Sequence, residues 1–248
     1  MADPLAVLRG LANPRHPRRA VFAALLPAGG VSTDALSTGI NAVHGSGWPD
    51  RRLWLCAMAL RDGRRVVFGR PGAPRARVGD AVAASCALPG YFRPVTIAGR
   101  RHVDGGIISL TNADLMAGLG MDLVIVSSPM SHVRPRPSFS PHALPRRPIG
   151  SWLDAEVAAL RRGGVPTVAV EPDRAVVAAM GLNPMDARRR VAVSRATFAS
   201  VRGWLAGAPE GRWLAAMMAL AAADGAHGAG SERRPAPAMP ASPEPDAA

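Results

Sequence analysis

The sequence of 248 residues is long enough for one ordinary domain or two small ones, and its 48% hydrophobic content excludes a chain disordered throughout. Aromatic residues are only 4%, so Ala, Val and Leu must fill most of the interior, while 26 Gly and 24 Pro imply many turns. The net charge of +12 has the sign of a polyanion binder, but all 30 basic residues are Arg and none is Lys; with abundant Ala, Gly and Pro this points to a GC-rich genome rather than selection for nucleic acid. The two cysteines, Cys56 and Cys86, match no paired metal-ligand spacing, so neither a metal site nor a disulfide framework is expected, and a reducing cytoplasm fits best. No stretch reaches the roughly 20 apolar residues of a spanning helix; the nearest runs from Trp213 to Ala223.

Along the chain, helices are predicted over Pro17 to Leu26 and over Ser32 to Val43, the second capped by Ser32. Leu53 to Leu60 is apolar at every position, the pattern of a strand buried on both faces, and Asp62-Gly63 turns it into a second strand from Arg64 to Gly69. Arg77 to Ala87 reads as a helix with Val78, Ala81, Val82 and Ser85 along one side. A strand pair follows, Pro94 to Ile97 and Arg101 to Val103, joined by Ala98-Gly99-Arg100. Asn112 is placed to cap a short helix ending near Gly118, and Met121 to Ser127 is again an apolar strand. Five prolines between Val133 and Ile149 predict a loop without helix or central strand. Ser151 and Asp154 form a capping box for a helix to Arg162, stopped by Gly163-Gly164; Val165 to Val170 is a last strand, and Asp186 opens a long helix to about Trp204. From about Gly225 to Ala248 almost nothing large is available to bury, so a disordered tail is expected. Buried strands alternating with helices predict an α/β domain with a mainly parallel central sheet flanked by helices.

Three blocks carry a resemblance. They are Ala84-Ser85-Cys86-Ala87-Leu88-Pro89-Gly90-Tyr91-Phe92-Arg93-Pro94, then Arg101-His102-Val103-Asp104-Gly105-Gly106, then Thr111-Asn112-Ala113-Asp114-Leu115. In order and spacing they resemble the C-terminal half of a patatin-like phospholipase domain, with its Ala-Ser-x-Ala-x-Pro helix end, Phe-x-Pro strand entry and Asp-Gly-Gly motif. The likeness extends more weakly from about Val21 to Asp186. It implies a three-layer α/β fold and a lipid acyl hydrolase working by a Ser/Asp dyad without cofactor or metal. The serine of a Gly-x-Ser-x-Gly elbow attacks the ester and the Asp-Gly-Gly aspartate accepts its proton, a role the resemblance assigns to Asp104. Gly105 and Gly106 would let the backbone turn there with no Cβ in the way, and partial burial at a strand end would raise the Asp104 pKa toward the range useful for a base. The partner implied is a lipid or other acyl-ester substrate, with peripheral contact at a membrane surface allowed, no transmembrane segment and no nucleic acid.

The neighbours read as structural. Ser85 is expected to bond local backbone, and His102, two positions before Asp104 and so on the same strand face, to serve packing or the surface, since the family uses no His. No serine has a glycine both two before and two after it: Ser32 is followed by Thr33-Asp34, and Ser46 lies in Gly45-Ser46-Gly47. The Gly-rich oxyanion loop also has no counterpart. In the family both lie N-terminal to the matched blocks. The expectation is therefore a patatin-like domain over residues 1–224 lacking its start, with a Pro/Arg-rich loop at 133–150 and a tail at 225–248. As it stands this chain is expected to be inactive, whether fragment, product of a misplaced start, or pseudoenzyme. A reading from another class makes it a non-catalytic module whose Arg136, Arg146, Arg147, Arg161 and Arg162 hold anionic lipid or nucleic acid; their dispersion and lack of interleaved aromatics favour solvated arginines instead.

Overall fold

The apolar run beginning at Leu53 does form a strand, β1 (Leu55–Ala59), and the Asp62-Gly63 signal does turn it back as β2 (Arg65–Phe68). At the turn Gly63 takes a positive φ of 67°, its N–H reaches the Ala59 carbonyl at 2.9 Å, and Asp62 Oδ1 accepts from the Arg64 N–H at 3.1 Å. The structure is a computed structural model; it describes residues 29–131, 147–183 and 186–227, and of 147–151 and 220–227 the backbone alone. The chain divides into two compact units, residues 1–112 and 113–248.

In the first unit, helix α1 (Asp34–His44) packs on α2 (Val78–Ser85), and α2 covers a four-stranded sheet of order β2-β1-β4-β3, where β3 is Val95–Ile97 and β4 is Arg100–Asp104. All three pairings are antiparallel. The α/β character stands, but apart from an isolated parallel bridge between Val31 and Phe92, the parallel pairing among the described residues is a separate strand pair in the second unit. An all-apolar run fixes burial on both faces, which helices can supply to either kind of sheet, so it did not determine strand direction. Register divides the core. Ala57 with Phe68, Ile97, Ala81 and Ala84 fills the side under α2, while Met58 with Val103 and Ile108 fills the other. The β3–β4 turn needs left-handed backbone at both central residues, Ala98 (φ 49°) and Gly99 (φ 71°).

Two start signals are displaced. Ser32 accepts from the Asp34 N–H at 3.0 Å, but α1 begins at Asp34 after a Thr33 that makes no side-chain cap. On α2 the buried residues are Val78, Gly79, Ala81, Ala83 and Ala84; Val82 and Ser85 are only half-buried, because small residues face both α1 and the sheet. The real cap of α2 comes from α1. Asn41 Oδ1 accepts from the Gly79 N–H at 2.9 Å, Asn41 Nδ2 donates to Asp80 at 3.2 Å, and the Ser37 hydroxyl donates to the same carboxylate. A Cβ on Gly79 would lie 2.3 Å from the Ser37 carbonyl oxygen. Burial works against the charge of Asp80, but its bonds to Arg77, Ser37 and Asn41 outweigh it and hold the carboxyl below its ordinary range. Asn41→Ala leaves an N–H and part of a carboxylate without partners, so unfolding titration in urea should show a loss of about 1–2 kcal/mol; a loss below about 0.5 kcal/mol would contradict this cap.

In the second unit, β5 (Val124–Ser127) pairs in parallel with β6 (Thr167–Val170), Val124 opposite Thr167. The crossover helix α3 (Arg147–Arg162) buries Leu153, Val157 and Leu160 against Val124 and Val126. It begins at Arg147, inside the segment expected to be loop, because a proline such as Pro148 is tolerated in a first helical turn. Ser151 and Asp154 thus lie inside the helix and not at its start; the stop at Gly163-Gly164 holds. Helix α4 (Arg174–Met180), capped by Asp173, was not anticipated. Asp186 caps a 3-10 turn (Ala187–Arg189) that opens α5 (Arg190–Gly207), and α6 (Pro209–His227) brings Trp213 and Leu214 onto Val168. Helix α6 passes Gly225, so the first residues of the expected tail are helical. The Pro17 to Leu26 helix, most of the Pro-rich loop and the tail beyond His227 lie outside the described residues.

Candidate active site

Asp104 is the last residue of β4, an interior strand opposite Ala57 on the face covered by α2. Its N–H donates to the Ala87 carbonyl at 3.0 Å, which ties the strand end to the residue following Cys86, the α2 C-cap. The chain then tightens into a 3-10 turn (Gly105–Ile107), and Asp104 Oδ1 accepts from the Gly106 N–H at 2.7 Å. Gly105 lies on β1: a Cβ there would sit 2.4 Å from the Cys56 carbonyl oxygen and 2.7 Å from its carbon. Gly106 is nearer the carboxylate, where a Cβ would stand 3.0 Å from Asp104 Oδ1 and 3.2 Å from Leu110 Cδ2. Neither glycine has a positive φ, so both are required for space and neither for left-handed backbone.

The carboxyl is half-buried. Burial raises its pKa above the ordinary aspartate value, and the Gly106 N–H draws it back in part. A carboxyl whose pKa is raised in this way is more basic than a solvated aspartate. Cys86, an exposed residue, is a neighbour that sequence reasoning passed over: partial desolvation of its thiol first, then the charge of Asp104, raises the thiol pKa. That disfavours it as a thiolate nucleophile. The signal available was the motif itself, where Cys86 fills the variable position of Ala-Ser-x-Ala. Neither cysteine is part of a disulfide.

Exposed apolar side chains border this end of the sheet. Leu88 is 53% and Tyr91 58% exposed, on the turn that follows Ala87; Leu110 is 42% exposed beside Gly106. Tyr91 is held by the Val31 N–H on its carbonyl at 3.2 Å and by edge-on packing against Phe92 at 4.7 Å.

His102 is not at the surface. It is fully buried under α2, edge-on to Phe68 at 5.3 Å, and neither ring nitrogen has a hydrogen-bond partner among the described residues; the backbone of Arg100 and Val95 lies beside the ring without bonding geometry. Burial lowers its pKa, so the folded state holds the neutral ring. The sign follows: its stabilising contribution is complete above the unfolded value of about 6.5 and is lost as pH falls through the lower folded value. Urea midpoints should therefore drop between pH 7.5 and 5, and drop less in His102→Phe; equal drops in the two proteins would contradict this burial.

Asn112 does not cap a helix with its side chain. It adopts φ 51° and folds back onto Ser109, its Nδ2 donating to the Ser109 carbonyl at 2.6 Å, so the following turn (Ala113–Met116) is a short 3-10 element. Ser85 ends α2, half-buried. Arg161, counted from sequence among surface cations, instead donates to the Thr167 carbonyl at 2.7 and 3.0 Å and pairs with Glu210 at 3.1 Å. Arg136 and Arg146 lie outside the described residues. Among the described residues no cluster of three His, Cys, Asp or Glu could hold a metal ion, and no helix is long and apolar enough to cross a membrane.

A family model described as Patatin-like phospholipase matches residues 28–117. Over this segment the chain is similar to that family. The match contains β1 to β4, α2 and Asp104 with its two glycines.

Proposed function

We propose that this chain is the part of a patatin-type acyl-ester hydrolase that carries the general base, Asp104, and that the patatin-like domain extends past the matched segment to about residue 224. The observation that carries the reading is Asp104 itself, a half-buried carboxylate of raised pKa at a strand end bordered by exposed apolar side chains. In the reaction, Asp104 accepts the hydroxyl proton as a serine oxygen attacks the ester carbonyl carbon. The proton then passes to the departing alkoxide, leaving an acyl-serine that water hydrolyses with the same carboxylate as base. Leu88, Tyr91 and Leu110 suit acyl chains, which supports a lipid or other carboxylic ester as substrate, met in the cytoplasm or at the periphery of a membrane.

The serine of a Gly-x-Ser-x-Gly elbow is not among the 248 residues. The test is hydrolysis of 4-nitrophenyl butyrate by this chain and by a form extended with the in-frame upstream coding sequence. The expected result is negligible turnover by the first and turnover by the second, with an elbow serine encoded upstream. An upstream stop codon, with no elbow to add, would favour a pseudoenzyme and end the hydrolase reading for this chain.

A further inference from the structure

Helix α5 and the turn before it, residues 187–207, contain five arginines and no acidic residue. The helix is used on one side only. Trp204 packs against the Trp213 and Leu214 cluster of α6, Ser200 on the same side lies beside Asp173 at the start of α4, and only in the last turn does Leu205, next to the stripe, also reach that cluster. The opposite side carries Val191, Arg195, Phe198 and Arg202, spaced four, three and four residues apart and so in one stripe along the helix. All four are exposed, Val191 at 61% and Phe198 at 66%, and the Arg202 guanidinium lies 5.7 Å over the Phe198 ring. Two large apolar groups thus stand in water in the same stripe as two cations, with Phe198 between Arg195 and Arg202. Arg188 and Arg189, at the start of the helix, are engaged by Asp186, so the charge of the stripe itself comes from Arg195 and Arg202.

We propose that this stripe is a docking surface for an anionic lipid bilayer. The cations meet phospholipid headgroups, and Phe198 and Val191 enter the boundary between headgroups and acyl chains. Charge complementarity selects this occupant: the stripe holds positive charge and no negative charge, and an aromatic ring beside a guanidinium suits an interface that is wet on one side and apolar on the other. The proposal goes beyond the hydrolase reading and does not depend on Asp104 acting as a base.

The experiment is cosedimentation of the whole chain with sucrose-loaded vesicles of phosphatidylcholine alone or with 30% phosphatidylglycerol. Binding should require phosphatidylglycerol and fall steeply between 50 and 300 mM salt. Each arginine near such a surface contributes about five-fold, so R195Q/R202Q should lower partitioning at least about 25-fold. The matched variant R51Q/R61Q, which removes the same charge from exposed positions elsewhere, should lower it much less. F198S should weaken binding even at high salt, with circular dichroism and a melt confirming that each variant is folded. Equal losses in the two double variants would overturn the proposal, as would binding to both vesicle types alike. Tighter retention on a 20-base-pair DNA duplex, or dimerisation that F198S abolishes in place of vesicle binding, would overturn it in favour of those occupants.

Discussion

Gly105→Val should be the most destabilising single substitution at the Asp-Gly-Gly turn, costing about 3 kcal/mol or more. The reason is the partner in the clash. The new Cβ would meet the Cys56 carbonyl at 2.4 Å, and that carbonyl belongs to β1, an interior strand hydrogen-bonded on both sides, which cannot yield without breaking its ladders. Gly106→Ala offers the contrast. Its Cβ would meet a carboxylate oxygen and the tip of a leucine at 3.0 and 3.2 Å, both of which can shift by a few tenths of an ångström, so its cost should be within about 1 kcal/mol. Urea titrations of the two variants side by side measure the difference. Similar midpoints would mean that Asp-Gly-Gly is not seated on β1 as described.

Asp104→Asn should lower kcat of an elbow-containing form by about 10²–10⁴-fold, the usual worth of a positioned base. Its effect on stability should have the opposite sign. A carboxyl whose folded pKa is raised contributes stability that is present below the unfolded value of about 3.8 and is lost as pH rises through the folded value. At pH 7 the wild type therefore bears the cost of a half-buried charge. Asparagine keeps an oxygen for the Gly106 N–H without that charge, so the variant should be at least as stable as wild type at pH 7 and lose that advantage near pH 3. Stability and turnover moving in opposite directions would distinguish a base from a residue that merely holds the turn. Retained turnover would remove Asp104 from the chemistry.

Much of this was legible in the chain. Asp62-Gly63 within a four-residue turn and Ala98-Gly99 as a two-residue turn mark the two reversals, so both hairpins follow from local backbone demands, and the three blocks around Asp104 are matched by the family model over residues 28–117. What escaped depends on contacts remote in sequence. The antiparallel pairing of β1 with β4 joins segments over forty residues apart, and an apolar run carries no information about the direction of its neighbour. The cap of α2 comes from Asn41, also far away in the chain, whereas the local signal at Ser151 is overridden because α3 begins a turn earlier. His102 reads from sequence as a packing or surface residue, and only the placement of Phe68 and α2 decides for the interior. The environment of Asp104 was anticipated at the level of a strand end and two glycines, but the Cys86 thiol beside it and the collision of any Gly105 side chain with Cys56 emerge only when β1, α2 and β4 are together.

The most direct measurement is the carbon-13 titration of the Asp104 carboxyl in the intact chain, assigned by comparison with Asp104→Asn. A general base shielded at the end of β4 is expected to titrate clearly above the ordinary aspartate value of about 3.8. A midpoint at or below that value would show the carboxylate stabilised chiefly by the Gly106 N–H, as in an ordinary Asp-Gly turn, and would contradict its assignment as the base.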